Sequence, residues 1–232
     1  MQISRCIILC GGKGTRLKEF NPHQQKCLTQ INNLPFIEYL LEQFSQYNIT
    51  LCTGHLSEQI EEYYGQRENI NISREEMPLG TGGAIINSLS KINDEIILIS
   101  NGDSFCRFDL NDATEFFFEN KIDFLVITTD NFEEGKDYGL VEINEQSMIK
   151  SFNEKPSCSS SNGIMNSGIY IARSEIFKDY SISNISLEKE IIPVIVKNYR
   201  CYAYNTHSKV YDIGTPKRIE IAENFFKDYD GH

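Results

Sequence analysis

Cys6-Ile7-Ile8-Leu9-Cys10-Gly11-Gly12-Lys13-Gly14-Thr15-Arg16-Leu17 runs from unbroken apolar residues straight into glycine, with Lys26 close behind. Five apolar residues in a row, without the alternation of a one-sided strand, suit a strand covered on both faces, as in a parallel sheet. The glycines let the backbone bring its N–H groups against an anion. Arg16 and Lys26 add positive charge. The stretch predicts a phosphate cradle at the carboxyl end of a first strand, the usual ligand edge of an open α/β sheet. It is not a Walker A loop, because Gly14 follows Lys13 where Ser or Thr is needed. It is not a dinucleotide fingerprint, because Leu17 stands where the third glycine belongs. The bland alternative is a tight turn with no ligand.

The 232 residues allow one sizeable core and are short for two. A net charge of −11 argues against nucleic acid or a membrane surface as partner. An anionic substrate would need a local basic spot on this acidic body. No apolar run approaches the ~18 residues of a membrane span, and the N-terminal run is too short for a signal-peptide core. A cytoplasmic location is therefore expected. The seven cysteines form no C-x-x-C pair, and Cys6, Cys10 and Cys52 lie in apolar runs, so they read as reduced core thiols. The four histidines show no ligand spacing, which argues against a zinc site.

Outward from the first strand, the pattern alternates. Pro35 opens a helix with Phe36, Ile37, Leu40, Leu41 and Phe44 on one face. Ile49 to Thr53 is a strand. Ser57 caps a helix through Tyr64 that Gly65 closes. Asn69 to Ser73 is a weaker strand. Met77-Pro78-Leu79-Gly80-Thr81-Gly82-Gly83-Ala84 is a second glycine-rich turn feeding a helix to about Leu89, whose first N–H groups could take a phosphate or a base edge. Ile96 to Ser100 is the strongest strand and ends in Asn101-Gly102-Asp103. A carboxylate just beyond a buried strand, beside a phosphate site, suits Mg²⁺, which prefers oxygen and often takes one or two carboxylates. A turn-forming Asp is the alternative. Leu110 to Asn120 reads as a helix with Phe116, Phe117 and Phe118 as core, and Ile122 to Thr129 as a strand. This alternation predicts a parallel sheet with right-handed crossovers.

Beyond Thr129 the rhythm changes. Tyr138 to Ile143 and Met148 to Phe152 read as strands about an Asn144-Glu145 turn. Ser157 to Asn162 is a low-complexity surface loop. Gly163 to Ile171 is a strand carrying Asn166. Helices are expected near Ser174–Tyr180 and Leu187–Val196, and short strands at Tyr202–Tyr204 and Lys209–Tyr211. Thr215 as cap and Pro216 as first helical residue open a last helix, with Ile219, Ala222, Phe225 and Phe226 inward.

Taken in order, the Gly11–Arg16 loop with Lys26, Gly80–Ala84, Asp103, Tyr138-Gly139, Glu154-Lys155-Pro156 with Asn166, and Asp212-Ile213-Gly214-Thr215 resemble the sugar-1-phosphate nucleotidyltransferases (nucleoside-diphosphate-sugar pyrophosphorylases). The resemblance spans Ile7 to Pro216. Pro78-Leu79-Gly80-Thr81-Gly82-Gly83-Ala84 is most similar to the guanylyltransferase branch, above all the enzymes of D-glycero-α-D-manno-heptose 1-phosphate. It implies a single Rossmann-like three-layer α/β/α domain with a mostly parallel sheet, the glycosyltransferase-A-like nucleotidyltransferase fold. Residues 1–130 would be the nucleotide-binding half, 131–215 the sugar-phosphate half and 216–232 a C-terminal helix. The implied reaction is GTP plus sugar 1-phosphate giving GDP-sugar and pyrophosphate, for surface glycan such as capsule or lipopolysaccharide. Two polyanions must meet, so the site needs positive charge more than an acid or base. No Ser/His/Asp constellation is present, in keeping with that.

The resemblance also implies roles. Backbone N–H groups of Gly11, Gly12, Gly14 and Thr15 hold the triphosphate, and Arg16 neutralises it. Lys26 faces the α-phosphate. Leu9, Gly80, Thr81 and Gly102 complete the nucleotide site. Asp103 and Asp212 bind Mg²⁺. Gly139, Glu154 and Asn166 hold sugar hydroxyls, and Lys155 pairs with the sugar phosphate. The chain departs from the family pattern at Gln25, where Pro usually precedes the catalytic lysine, and at Cys10, where a small Ala is commoner. No β-helix is expected after Tyr229, hence no added acetyltransferase activity. A homodimer stays open. So do mannose 1-phosphate as the sugar, UTP or CTP as the nucleotide, and a non-catalytic sugar-nucleotide sensor. A nicotinamide-dependent oxidoreductase is disfavoured by Leu17.

Overall fold

The computed structural model describes residues 2–12, 23–132, 138–154, 163–227 and 229. The first strand, β1 (Arg5–Leu9), is followed among these residues by a 3₁₀ turn at Lys26–Leu28 and a small hairpin, β2 (Gln30–Ile31) and β3 (Leu34–Pro35). Then come α1 (Phe36–Gln43), β4 (Asn48–Thr53), α2 (Ser57–Tyr64), β5 (Ile70–Arg74), α3 (Gly80–Leu89), β6 (Ile96–Asn101) and β7 (Ser104–Cys106). They are followed by α4 (Leu110–Glu119), β8 (Phe124–Thr129), β9 (Leu140–Ile143), β10 (Ile149–Asn153) and the long β11 (Ile164–Arg173). The last elements are α5 (Ile192–Asn198), β12 (Cys201–Asn205), β13 (Val210–Asp212) and α6 (Pro216–Phe226).

The central sheet runs β5-β4-β1-β6-β11-β8-β12, with the β9-β10 hairpin against the start of β11. β1 pairs in parallel with β4 and β6, β4 with β5, and β8 with β12. β11 runs antiparallel to both β6 and β8, so β8 and β12 share the direction of β1. The sheet is thus mostly parallel, with one reversed strand in its middle. Alternate residues of the buried strands feed two separate cores. Cys6, Ile8, Leu51 and Leu98 pack under α1, α2, α4 and α6. Ile7, Ile97 and Ile99 pack under α3 and α5. Those two cores make the three layers, and they explain why β1 and β6 read as continuous apolar runs.

Several local expectations change. Ser57 does not cap α2: Leu56 holds the cap position in left-handed backbone (φ 56°), and Ser57 is already helical with its Oγ unpartnered by protein. Ser57 N is spent on Gly54 O at 3.2 Å, a turn that brings the helix in one residue early. Gly65 keeps a right-handed φ of −64° rather than the left-handed stop. Ser174–Phe177 is a 3₁₀ turn, not a helix to Tyr180. A π turn at Leu187–Ile191 precedes α5, where Pro193 has no N–H to close the ordinary ladder. α6 begins as expected, with the Thr215 side chain accepting from Arg218 N.

Candidate active site

Because β1, β4, β5 and β6 run parallel, their carboxyl ends share one edge of the sheet. Two crevices open along that edge. The larger, about 660 Å³, is lined by Leu9, Gly11, Gly12, Gly54, His55, Glu75, Gly80, Thr81 and Glu188, among others. The smaller, about 380 Å³, is lined by Lys26, Tyr138, Gly139, Asn166, Asp212, Gly214 and Arg218, among others. Gly12, Asn101, Asp103, Glu154 and Glu188 line both, so the two spaces meet at these residues.

Asp103 stands at the meeting point because Gly102 lets β6 hug β1. Gly102 N donates to Leu9 O at 3.0 Å, and a Cβ at Gly102 would lie 2.7 Å from that oxygen. Gly102 lines neither crevice; its part here is this close approach. Lys26 reaches Asp103 Oδ2 at 2.5 Å, and Ser104 Oγ donates to Oδ1 at 3.1 Å. Withdrawal from water pushes the Asp103 carboxyl up, but Lys26 and these hydrogen bonds more than offset it and hold the carboxyl below its ordinary range.

Gln25, the departure from the family pattern, is what seats Lys26. It is buried; its Nε2 donates to Cys10 O at the end of β1, and its Oε1 accepts from Cys27 N at 2.6 Å. Gln25 N also donates to Gln59 Oε1 at 2.8 Å. The side-chain amide therefore pins the 3₁₀ turn to the first strand. Cys10 is buried behind it, its thiol pushed up by the neighbouring Cys27 and by burial.

Asp212 arrives through the β7–β13 ribbon, where it pairs with Ser104, and Ile213 N donates to Asp103 O at 3.2 Å. Two segments over a hundred residues apart in sequence thus bring Asp103 and Asp212 to the lining of the same crevice. The ribbon is clamped by aromatic rings of α6: Tyr211 stacks on Phe225 at 3.9 Å, and Phe105 meets Phe226 edge-on at 5.0 Å. Asp212 Oδ1 accepts from Gly214 N at 2.9 Å and from Arg218 Nη1 at 3.0 Å.

On the far side, β11 bulges between Asn166 and Ile169, beside the smaller crevice. Asn166 donates to Tyr170 Oη at 2.7 Å and accepts from Gly168 N at 3.0 Å. In the larger crevice, Gly80 opens α3 at φ 70°. Two of that helix's N–H groups are not open to a ligand, because Gly82 and Gly83 donate to Ile185 O at 2.9 and 3.2 Å.

Of the sequence-predicted residues, Leu9, Gly11, Gly12, Gly80, Thr81 and Asp103 line the larger crevice, and Lys26, Asp103, Gly139, Glu154, Asn166 and Asp212 the smaller. Gly14, Thr15, Arg16 and Lys155 lie outside the described residues. The motifs missed three residues of note. Glu75, half-buried, has Oε1 3.0 Å from where a Cβ of Gly11 would sit, and Oε2 accepts from Leu79 N at 3.0 Å. Burial pushes its carboxyl up, partly offset by the Leu79 N–H. Glu188 is buried in the π turn; its Oε2 accepts from Thr81 Oγ1 at 2.6 Å and Ser186 Oγ at 3.2 Å. Arg218 is the third. In sequence, Glu75 and Glu188 sit in charged runs that read as solvated faces, and Arg218 in an amphipathic helix. Only the place of Glu75 just after a parallel strand hinted at the ligand edge.

A model of the nucleotidyl transferase family matches residues 5–228. The chain belongs to that family. It is 34% identical to D-glycero-alpha-D-manno-heptose 1-phosphate guanylyltransferase of Aneurinibacillus thermoaerophilus, over 96% of this chain and 98% of that protein. It is 31% identical to mannose-1-phosphate guanyltransferase beta-A of Xenopus laevis, over 92% of this chain and 62% of that protein. The crystal structure of HddC from Yersinia pseudotuberculosis complexed with GMP-PN superposes with a TM-score of 0.81 at 28% identity, covering 97% of this chain and 100% of that one. The HddC chain shares the fold described above.

Proposed function

We propose that this chain joins GTP to a sugar 1-phosphate, with D-glycero-α-D-manno-heptose 1-phosphate as the sugar substrate, giving a GDP-sugar and pyrophosphate. The observation that carries the reading is the junction. A nucleoside-sized crevice and a smaller polar one meet at Asp103, and Lys26 stands on it. A phosphoryl transfer between two anions needs such a place, where both substrates reach one cation. In this reading residues 1–130 bind the nucleotide, 131–215 the sugar phosphate, and 216–232 close the fold.

Guanine is favoured by Glu75. Guanine alone among the common bases presents two adjacent N–H donors, at N1 and N2, to a single carboxylate. Thr81 and Gly80 would hold the nucleoside beside it. Backbone N–H groups of Gly11 and Gly12, with Gly14, Thr15 and Arg16, would cradle the triphosphate. Lys26 would exchange Asp103 for the α-phosphate as negative charge grows there. Gly139, Glu154 and Asn166 would take sugar hydroxyls, and Lys155 the sugar phosphate.

Among the described residues no cluster of three or more His, Cys, Asp or Glu side chains forms a metal cage. The pair Asp103 and Asp212 nevertheless suits Mg²⁺, which needs only one or two protein carboxylates when phosphates supply the rest. Bound there, Mg²⁺ would screen phosphate charge. No described helix is long and apolar enough to cross a membrane. A GDP-heptose made from cytoplasmic GTP would serve as donor for capsule or lipopolysaccharide synthesis.

The test is pyrophosphate release with Mg²⁺, crossing GTP, ATP, CTP, UTP and dTTP with the heptose, mannose and glucose 1-phosphates. Turnover confined to GTP and the heptose supports the reading. The Xenopus relative's name favours a second reading, mannose 1-phosphate as the sugar, and turnover with that sugar would establish it. Folded protein silent across the grid overturns both.

A further inference from the structure

Arg218 belongs to none of the sequence motifs, yet its guanidinium faces the smaller crevice. Its position is electrostatically unusual. It lies in the first turn of α6, at the positive end of the helix dipole, where a cation is disfavoured and an anion is needed nearby. Asp212 supplies that anion at 3.0 Å, and the guanidinium also lies 5.5 Å from the centre of the Tyr138 ring. The pair is mostly shielded from water, with 19% of the arginine side chain and 11% of the aspartate exposed. Shielded pairs of this kind recover little net stability over their desolvation, which leaves the placement unexplained by folding alone.

Its neighbour supplies the reason. A Cβ built on Gly214 would lie 3.4 Å from Arg218 Nη1 and 3.9 Å from Lys26 Nζ, so the two cationic nitrogens are no more than about 7 Å apart. Both face the smaller crevice, and each is held on a carboxylate, Lys26 on Asp103 and Arg218 on Asp212. Among the described residues, no Lys or Arg lines the larger crevice. A phosphate accepting charge-assisted bonds of about 2.8 Å on two of its oxygens spans a gap of this size. The guanidinium fork is the better half of such a clamp, since it meets phosphate with two parallel N–H groups.

We propose that Arg218 is a phosphate-binding residue of the sugar 1-phosphate crevice, parked on Asp212 until a divalent cation takes that carboxylate and the substrate phosphate takes the guanidinium. The assignment of substrate phosphate rests on the function proposed above; the competition for Asp212 does not. The exchange keeps charge balanced, because each ion leaves one partner of opposite sign for another. It also makes cation and phosphate binding mutually reinforcing, as linkage requires.

The test compares wild type with R218Q and R218K, each first checked for an unchanged far-UV circular dichroism spectrum and melting temperature. R218Q should raise KM for the sugar 1-phosphate about tenfold or more while KM for the nucleotide stays within about twofold, and R218K, which keeps the charge without the fork, should recover part of the loss. Without substrates, Mn²⁺ titrated by electron paramagnetic resonance should bind R218Q more tightly than wild type, because Asp212 has lost its competing cation. In wild type, inorganic phosphate should tighten Mn²⁺ binding, and R218Q should blunt that effect. An unchanged sugar-phosphate KM, or Mn²⁺ affinity that is equal or weaker in R218Q, overturns the proposal. Wild-type protein inactive on every substrate pair would count against the proposed function instead, and the Mn²⁺ and phosphate measurements would still decide Arg218.

Discussion

Both crevices are lined with carboxylates, but only the smaller sets cations among them. Among described residues, the larger carries Glu75, Glu76, Asp103, Glu154 and Glu188 and no lysine or arginine; the smaller shares Asp103, Glu154 and Glu188, adds Asp212, and sets Lys26 and Arg218 among them. One is a space of acceptors and backbone edges, suited to N–H and O–H donors of a base and its sugar. The other is a space of exchangeable ion pairs, suited to phosphate. A net charge of −11 therefore does not describe the smaller crevice, where Lys26 and Arg218 stand within reach of one ligand.

The strongest way to break this contrast is Asp103→Asn, which alters the residue common to both spaces. Turnover should fall by about three decades in single-turnover pyrophosphate release, comparable to losing a metal ligand or a preorganised charge. Near-normal turnover would remove Asp103 from the chemistry. Lys26→Ala follows, with about 10²–10³ lost from kcat and a smaller change in KM. A loss under about tenfold would point to another lysine, with Lys13 the first to try.

Glu75→Gln sharpens the contrast from the other side. KM for GTP should rise about tenfold to a hundredfold with kcat little changed, because one of guanine's two donors then meets an amide N–H₂. Stability should move the other way. The Glu75 carboxyl is raised in the folded state, so its contribution to stability is full below the unfolded value of about 4.3 and is lost as pH rises through the folded value. The glutamine variant escapes that loss. Melting curves should show it more stable than wild type at pH 7.5, with the gap closing toward pH 4.

The smallest effect belongs to the Lys26–Asp103 pair as a stabilising contact. The Asp103 carboxyl is lowered in the fold, so the pair contributes above the unfolded value of about 3.9 and the contribution disappears as pH falls through the folded value. The carboxylate is 39% exposed, and pairs so open to water stabilise by about 1 kcal/mol at most. Asp103→Asn should therefore melt within a few degrees of wild type at pH 7 and converge with it in acid. A large loss of stability would make Asp103 structural.

How legible all this was varies by residue. β1 and β6 read as buried parallel strands because both faces of the sheet are covered, so neither face needs polar residues. Asp103 followed from being the first carboxylate past such a strand. Lys26 was placed by motif, but the reason it stays in place, the Gln25 amide between Cys10 O and Cys27 N, depends on a strand end fifteen residues back. The helix start at Gly80–Gly83 looked open to ligands, and Ile185 O, a hundred residues on, closes part of it. Ser57 had the right residue type for a cap, but the Gly54–Leu56 turn used its backbone first.

The sequence alone determined which strands are buried and which carboxylates follow the strand ends. These follow from the side chains and short-range chain geometry. Only the tertiary structure decided that β11 runs against its neighbours, that Glu188 is buried rather than solvated, and that Arg218 rests on Asp212. Charge, unlike apolar periodicity, carries no local mark of its partner. An arginine on an amphipathic helix reads the same whether it faces water or a crevice, until the β7–β13 ribbon brings Asp212 beside it.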